Sequence, residues 1–156
     1  MPDIEYDNFL KITLFKLSSE FRRLDADERS KAKQEFAGLI ADNSSDDEIR
    51  TYSTVGTRAD AELMLVQDSA SVDTFHKLSK AINHSVLGSY LEQSYSYLSI
   101  RRKSRYKHGG GAPKLKEDYK YMVIYPMTKT RPWYEKSMKE RQEMMNDHFR
   151  VGKDYP

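Results

Sequence analysis

FLKITLFKL, residues 9–17, sets Leu10, Ile12 and Leu14 on one face of an extended chain. This period of two predicts a half-buried strand, and its neighbours decide what kind of sheet it enters. A helix is predicted next. Asp25 can cap its first turn while Glu28 reaches back, and Ala32, Phe36, Leu39 and Ile40 form the apolar stripe. NSSDDE (43–48) ends that helix as a polar loop. Two strands follow, IRTYSTVG (49–56) and AELMLVQ (61–67), joined through TRAD. The second is apolar on both faces, as a central strand would be.

Ser71 reads as the next N-cap, before a helix that turns Val72, Phe75, Leu78, Ile82 and Val86 inward. SYLEQSYSYLSI (89–100) alternates Tyr95 and Tyr97 with Ser96 and Leu98, which predicts a strand with aromatic weight on one face. The order β-α-β-β-α-β is the ferredoxin-like arrangement, an α+β fold, complete within residues 1–106. KHGGGAP (107–113) opens a basic linker over 107–118, because three successive glycines suit neither helix nor strand. The pattern then restarts. YKYMVIY (119–125) predicts a strand, and Ser137 with Glu140 a capping box that opens a helix through Phe149. Residues 119–156 thus read as the first strand and helix of a second, truncated unit.

Composition narrows the chemistry. The 156 residues contain no cysteine, which excludes disulfides, thiolate metal sites and cysteine nucleophiles. No apolar run approaches ~18 residues and the amino terminus MPDIEYDNF is acidic and polar, so the expectation is a cytoplasmic protein without a membrane span or leader. A net charge of +2 selects no partner, but RRKSRYKHGGGAPKLKEDYK (101–120) holds a local basic excess suited to a polyanion or a ligand with several carboxylates. Only Tyr106 and Tyr119 accompany those cations, too few for stacking on nucleic acid, and no nucleic-acid partner is expected.

ERQEMMNDHF (140–149) places His148 near the end of the last helix, with Met145 three residues back, Met144 four and Arg141 seven. A histidine there can simply answer the helix macrodipole. An imidazole beside polarizable methionines and a nearby tryptophan, Trp133, is also a wall for a flat apolar macrocycle. Tyr125 and Lys129 sit at the rim of the preceding strand, which Pro126 stops. Each has a structural reading as well: Tyr125 as packing, Lys129 as a solvated cation, Trp133 and the methionines as core.

These residues in order, Tyr125-Pro126-Met127-Thr128-Lys129, Trp133-Tyr134, Glu140-Arg141, Met144-Met145, His148 and Gly152-Lys153-Asp154-Tyr155, resemble the chlorite dismutase-like haem proteins, and within them the coproheme decarboxylase branch. VGTRADAELML (55–65) and SYSYLSI (94–100) resemble further segments of that family. The resemblance implies two ferredoxin-like halves of the dimeric α/β barrel type, assembled as a homo-oligomer, usually a pentamer. It implies haem or coproheme as cofactor, with His148 as proximal iron ligand and metal site. Lys114, Trp133 and Met145 are implied to contact the porphyrin. Tyr125 and Lys129 are the implied catalytic pair, the redox tyrosine and its neighbour at a propionate. In that branch iron coproporphyrin is both substrate and cofactor, and peroxide drives loss of carbon dioxide from two propionates.

Three features depart from the family pattern. Lys114-Leu115 stands where relatives carry Arg-Leu, giving a point charge in place of a fork. IRRKSRY (100–106) is basic where a glutamate is common. The remaining β-β-α-β of the second half, with the distal wall, is not in this chain, which therefore supplies one side of a haem pocket. A chlorite- or peroxide-processing haem enzyme and a non-enzymatic haem-binding or assembly module stay open as alternatives.

Overall fold

The computed structural model describes residues 8–44, 48–101, 106 and 121–152. Chain contacts divide it into two units, one of Tyr6–Arg101 and one that includes Arg102–Pro156. The first unit runs β1 (Asn8–Leu17), α1 (Ser19–Arg23), α2 (Ala26–Asp42), β2 (Glu48–Ser53), β3 (Leu63–Ser69), α3 (Val72–His84), a 3-10 turn at Leu87–Tyr90, and β4 (Leu91–Arg101). The four strands form one sheet in the order β2-β3-β1-β4, every neighbouring pair antiparallel. This is the ferredoxin-like α+β arrangement that the order of elements predicts.

Local chemistry sets the helix boundaries. Asp25 accepts from the Glu28 backbone N–H at 2.8 Å while Glu28 accepts from that of Asp25 at 3.4 Å, a closed capping box on α2. Ser71 caps α3 by accepting from the Asp73 backbone N–H at 3.2 Å. Phe75, Leu78 and Ile82 of α3 are buried as their spacing predicts, but Val72 and Val86 are exposed. Val72 is the first residue of the helix and Val86 lies beyond its last turn, so neither shares the buried stripe.

Phe15, Phe21, Ala32, Phe36, Leu65, Leu78, Ile82 and Leu87 form the core between sheet and helices. Each of the larger side chains contributes about 1.5–3 kcal/mol by leaving water. Strand period places Phe15 and Thr13 on this helix-covered side, and therefore Leu10, Ile12 and Leu14 on the opposite one. The alternation in β1 identifies a shared face correctly, yet the helices pack on the other. In β3, Met64, Leu65 and Val66 are all buried, which fits its internal place in the sheet.

Polar ties close the corners of the unit. Glu62 accepts from the Leu17 backbone N–H at 2.7 Å and from Arg22 at 2.8 Å. Glu35 of α2 accepts from the Val86 backbone N–H at 2.9 Å. Buried Asp68 accepts from the Asn8 amide at 2.7 Å and pairs with Arg101, which binds the first and last residues of the sheet to β3. In the loop before β3, Arg58 donates from Nε and Nη2 to the two oxygens of Asp60, at 2.8 and 2.7 Å. The guanidinium lies 5.3 Å from the Tyr95 ring centroid, and Tyr95 stacks on Tyr97 with centroids 6.1 Å apart and planes within 6°. Ser94 donates to the Asp60 carbonyl at 2.6 Å. This array holds the Asp60 carboxyl down to about 2, with the Arg58 hydrogen bonds as first cause and the Tyr95 hydroxyl as second.

The second unit contains α4 (Arg131–Glu135) and α5 (Met138–Gly152). The strand predicted at 119–125 is not formed over 121–125, which belongs to no helix or ladder. Its alternation survives, with Met122 and Ile124 half-buried between exposed Tyr121, Val123 and Tyr125. A strand exists only against a hydrogen-bonded neighbour, and no described strand flanks this segment. Residues 107–118, read as the linker, lie outside the described residues, as do the basic positions within them.

Two glycines separate backbone freedom from space. A Cβ at Gly88 would stand 1.7 Å from the Ile82 carbonyl oxygen, whereas one at Gly38, inside α2, meets nothing within 4 Å. Gly88→Ala should cost about 1–3 kcal/mol by forcing backbone movement, and Gly38→Ala should add roughly 0.5–1 kcal/mol, both read from urea unfolding. A second expectation follows from Asp60. Its folded pKa of about 2 lies below the ordinary 3.8, so its stabilisation is complete above 3.8 and is lost as pH falls towards 2. The urea midpoints of wild type and Asp60→Asn should therefore differ at about pH 6 and converge near pH 2.

Candidate functional site

The predicted site residues occupy the second unit, in three successive pieces. The first is the extended stretch 121–130, which ends where Thr130 turns into α4 and its carbonyl accepts from the Trp133 backbone N–H at 3.0 Å. Pro132 occupies the first turn of α4, where a missing N–H costs nothing. Tyr125 is 64% exposed. Lys129 is exposed too, but its ammonium stands 4.6 Å from the centre of the half-buried Trp133 ring. This is a cation held over an indole face, worth about 0.5–1 kcal/mol at an exposed site. The contact fixes where the lysine charge sits.

The second piece is the cap of α5. Glu140 accepts from the Ser137 backbone N–H at 2.8 Å and from its hydroxyl at 2.7 Å, while the Ser137 hydroxyl accepts from the Glu140 N–H at 3.3 Å. The capping box read from the sequence is thus closed. Those Ser137 hydrogen bonds, foremost that of the hydroxyl, lower the Glu140 carboxyl pKa. A carboxylate at this end also answers the positive pole of the helix.

The third piece is α5 itself. Arg141, Met145 and Phe149 follow one another at four-residue spacing and are half-buried, with Arg141 Nε buried and without a hydrogen-bond partner among the described residues. Met144 and His148, also four apart, lie on the exposed side. Spacing alone groups Met144, Met145, Arg141 and His148 on or near one face; burial separates Met145 from His148. The His148 ring lies 6.0 Å from that of Phe149, tilted by 55°. It occupies the last turns of a helix ending at Gly152, so its exposed imidazole is accessible to an external metal.

The structure therefore brings Lys129 and Trp133 into contact and carries Tyr125 and His148 on separate elements. Lys114 lies outside the described residues. Among the described residues no three His, Asp or Glu side chains converge on a metal position. One imidazole suits a metal that arrives with its other ligands already in a macrocycle. Among the described residues no helix is long and apolar enough to cross a membrane. The Arg58–Asp60–Tyr95 array is a feature that residue types did not reveal. Its signal is an arginine two residues before an aspartate in a loop, and the partner tyrosine lies 35 positions further on.

Solved structures with similar coordinates carry the names of chlorite dismutases and of a haem-binding protein. An arginine-to-lysine mutant of chlorite dismutase from Candidatus Nitrospira defluvii superposes with a TM-score of 0.79 at 17% identity, covering 95% of this chain and 66% of that one. The same organism's chlorite dismutase in complex with imidazole gives 0.81 at 18%, covering 97% and 67%. A haem-binding protein from Thermus thermophilus gives 0.70 at 18%, covering 97% and 68%. The chain thus spans about two-thirds of the length of these proteins. At such identities the likeness establishes the fold. The sequence itself matches the family model described as chlorite dismutase over residues 29–156, more than half of its length. The chain belongs to the chlorite dismutase family.

Proposed function

We propose that the chain is the haem-binding part of a haem-dependent oxidoreductase, and that its reaction is peroxide-driven decarboxylation of coproheme. The observation that carries this reading is the Lys129 ammonium fixed over Trp133 four residues after Tyr125, in a chain that also presents an exposed imidazole at His148. The donor chemistry fits an iron porphyrin on one side: an imidazole for the metal, an indole for the ring face, and an ammonium for a carboxylate. The names of the similar structures, chlorite dismutases and a haem-binding protein, support the cofactor class.

His148 would hold the iron through the lone pair of one ring nitrogen. Lys129 would favour the anionic form of a propionate bound beside it, and Lys114 is proposed as a second cation for the same purpose. Tyr125 would be the group that gives up its phenolic hydrogen atom and recovers one from the propionate chain. When bound, the iron porphyrin supplies the oxidising equivalents that peroxide delivers. The overall change balances: each propionate, one peroxide and one proton give a vinyl group, carbon dioxide and two waters.

The similar structures that carry the name chlorite dismutase favour a second reading, in which chlorite or peroxide itself is the substrate. Tyr125 and Lys129 have no part in that chemistry, which separates the two. Titration with ferric coproporphyrin should shift the Soret band, and His148→Ala should weaken binding by at least about tenfold. Peroxide should then yield a porphyrin lighter by two carboxyl groups. Tyr125→Phe should stop that loss and leave the Soret titration unchanged. Bleaching without mass loss would defeat the decarboxylase assignment, and oxygen release from added chlorite would establish the second reading.

A further inference from the structure

Few side chains attach α2 to the sheet: of its 17 residues, Ala32 and Phe36 are buried. A hollow borders the helix on each of two flanks. The first, of about 320 Å³, lies against Lys33, Phe36, Ala37 and Ile40, which share one face at spacings of three and four. Thr51 of β2 and Leu63 of β3 form its floor, and Leu87 closes one end. Thr51 pairs with Leu65 of the core, so its side chain is on the helix-covered side. Ala37 and Thr51 are short side chains where α2 faces the edge strand, and the space between them stays open.

Charge separates the two hollows. The second, of about 410 Å³, has Glu28 and Glu35 on its wall. Both carboxylates are committed, Glu28 to the Asp25 backbone N–H and Glu35 to that of Val86. In the first hollow the polar side chains are Lys33 and Thr51, both exposed at the rim, above buried Phe36 and Leu87. Among the described residues no carboxylate pairs with Lys33. Arg29, one turn earlier, is turned instead to the carbonyls of Arg22 and Leu24. The first hollow therefore joins an apolar interior to an uncommitted cation and a hydroxyl.

We propose that this hollow binds a small monocarboxylate with an unbranched alkyl chain. The chain lies on Phe36, Ile40 and Leu63, the carboxylate meets the Lys33 ammonium, and the Thr51 hydroxyl is a second donor. Ligand sites run from roughly 300 to 1,000 Å³, and this one is at the small end, which suits a single short chain. Each buried methylene strengthens binding about fourfold. An exposed ammonium–carboxylate contact adds about two- to fivefold. The chain thus supplies the affinity, and Lys33 selects the charge of the head group.

The test titrates the isotope-labelled full chain with butanoate, hexanoate, octanoate and decanoate and follows its amide resonances. Affinity should rise about fourfold per methylene from butanoate and level off once the tail outgrows the cavity. The shifts should centre on Ala37, Ile40 and Thr51. Octanol should bind about two- to fivefold more weakly than octanoate, and octylammonium more weakly still. Lys33→Met should erase that ranking and keep octanol binding. Ala37→Trp, at an exposed helix position, should fill the cavity and abolish binding of all these probes. If Ala37→Trp unfolds, the shift pattern and the Lys33→Met ranking decide. Octanoate shifts that do not saturate, shifts remote from α2 and β2, or a head-group ranking that survives Lys33→Met would overturn the proposal. A sedimentation mass that falls in Ala37→Trp would assign the hollow to a second copy of the chain and overturn it as well.

Discussion

β1 lies inside the sheet, with β3 on one side and β4 on the other, and every described strand is registered on it directly or through β3. The first strand of the unit must therefore hold its place until residues about fifty and ninety positions later arrive. The apolar and aromatic neighbours that meet it across the ladder, Leu14 with Met64 and Tyr95 and Ile12 with Val66 and Tyr97, repay that loop-closure entropy. The bulge at Ser94 lets one strand satisfy two demands. It keeps β4 in step with β1 and delivers the Ser94 hydroxyl to the Asp60 carbonyl, so the Arg58 loop is locked to the edge of the sheet.

The candidate site is organised on a different principle. Its order comes from short-range devices: a capping box between residues three apart, a helix of two turns or less opened by Pro132, and a lysine settled on a tryptophan four positions away. Such contacts fix the directions of a few side chains over short stretches of chain. This division between a cooperative sheet unit and a locally ordered site unit is the main architectural fact about the chain.

What is local in this fold is legible in the sequence. Asp25 with Glu28, Ser71, and Ser137 with Glu140 were legible because a cap depends on residues two or three apart. The four strands and two main helices of the first unit follow from period and punctuation. Alternation at 121–125 was equally plain, but it states which side chains share a face and is silent on who supplies the hydrogen bonds. The same limit applies to β1, whose Leu10, Ile12 and Leu14 share the side that the helices do not cover. On α5, helical spacing put Met145 and His148 together, and burial assigned them to different sides. The Arg58–Asp60–Tyr95 array escaped because its members meet only through the tertiary fold.

Asp68 has a wider meaning than its place in one ladder. It receives the amide of Asn8 and the guanidinium of Arg101, so the chain enters and leaves the sheet at one corner, fastened by a single buried carboxylate. A unit with adjoining, anchored ends is indifferent to what is joined to it on either side. It can be spliced into a host polypeptide, duplicated in tandem or fused at both termini with little strain inside the sheet. Gene duplication, the simplest route to a protein made of two similar halves, asks for that property first.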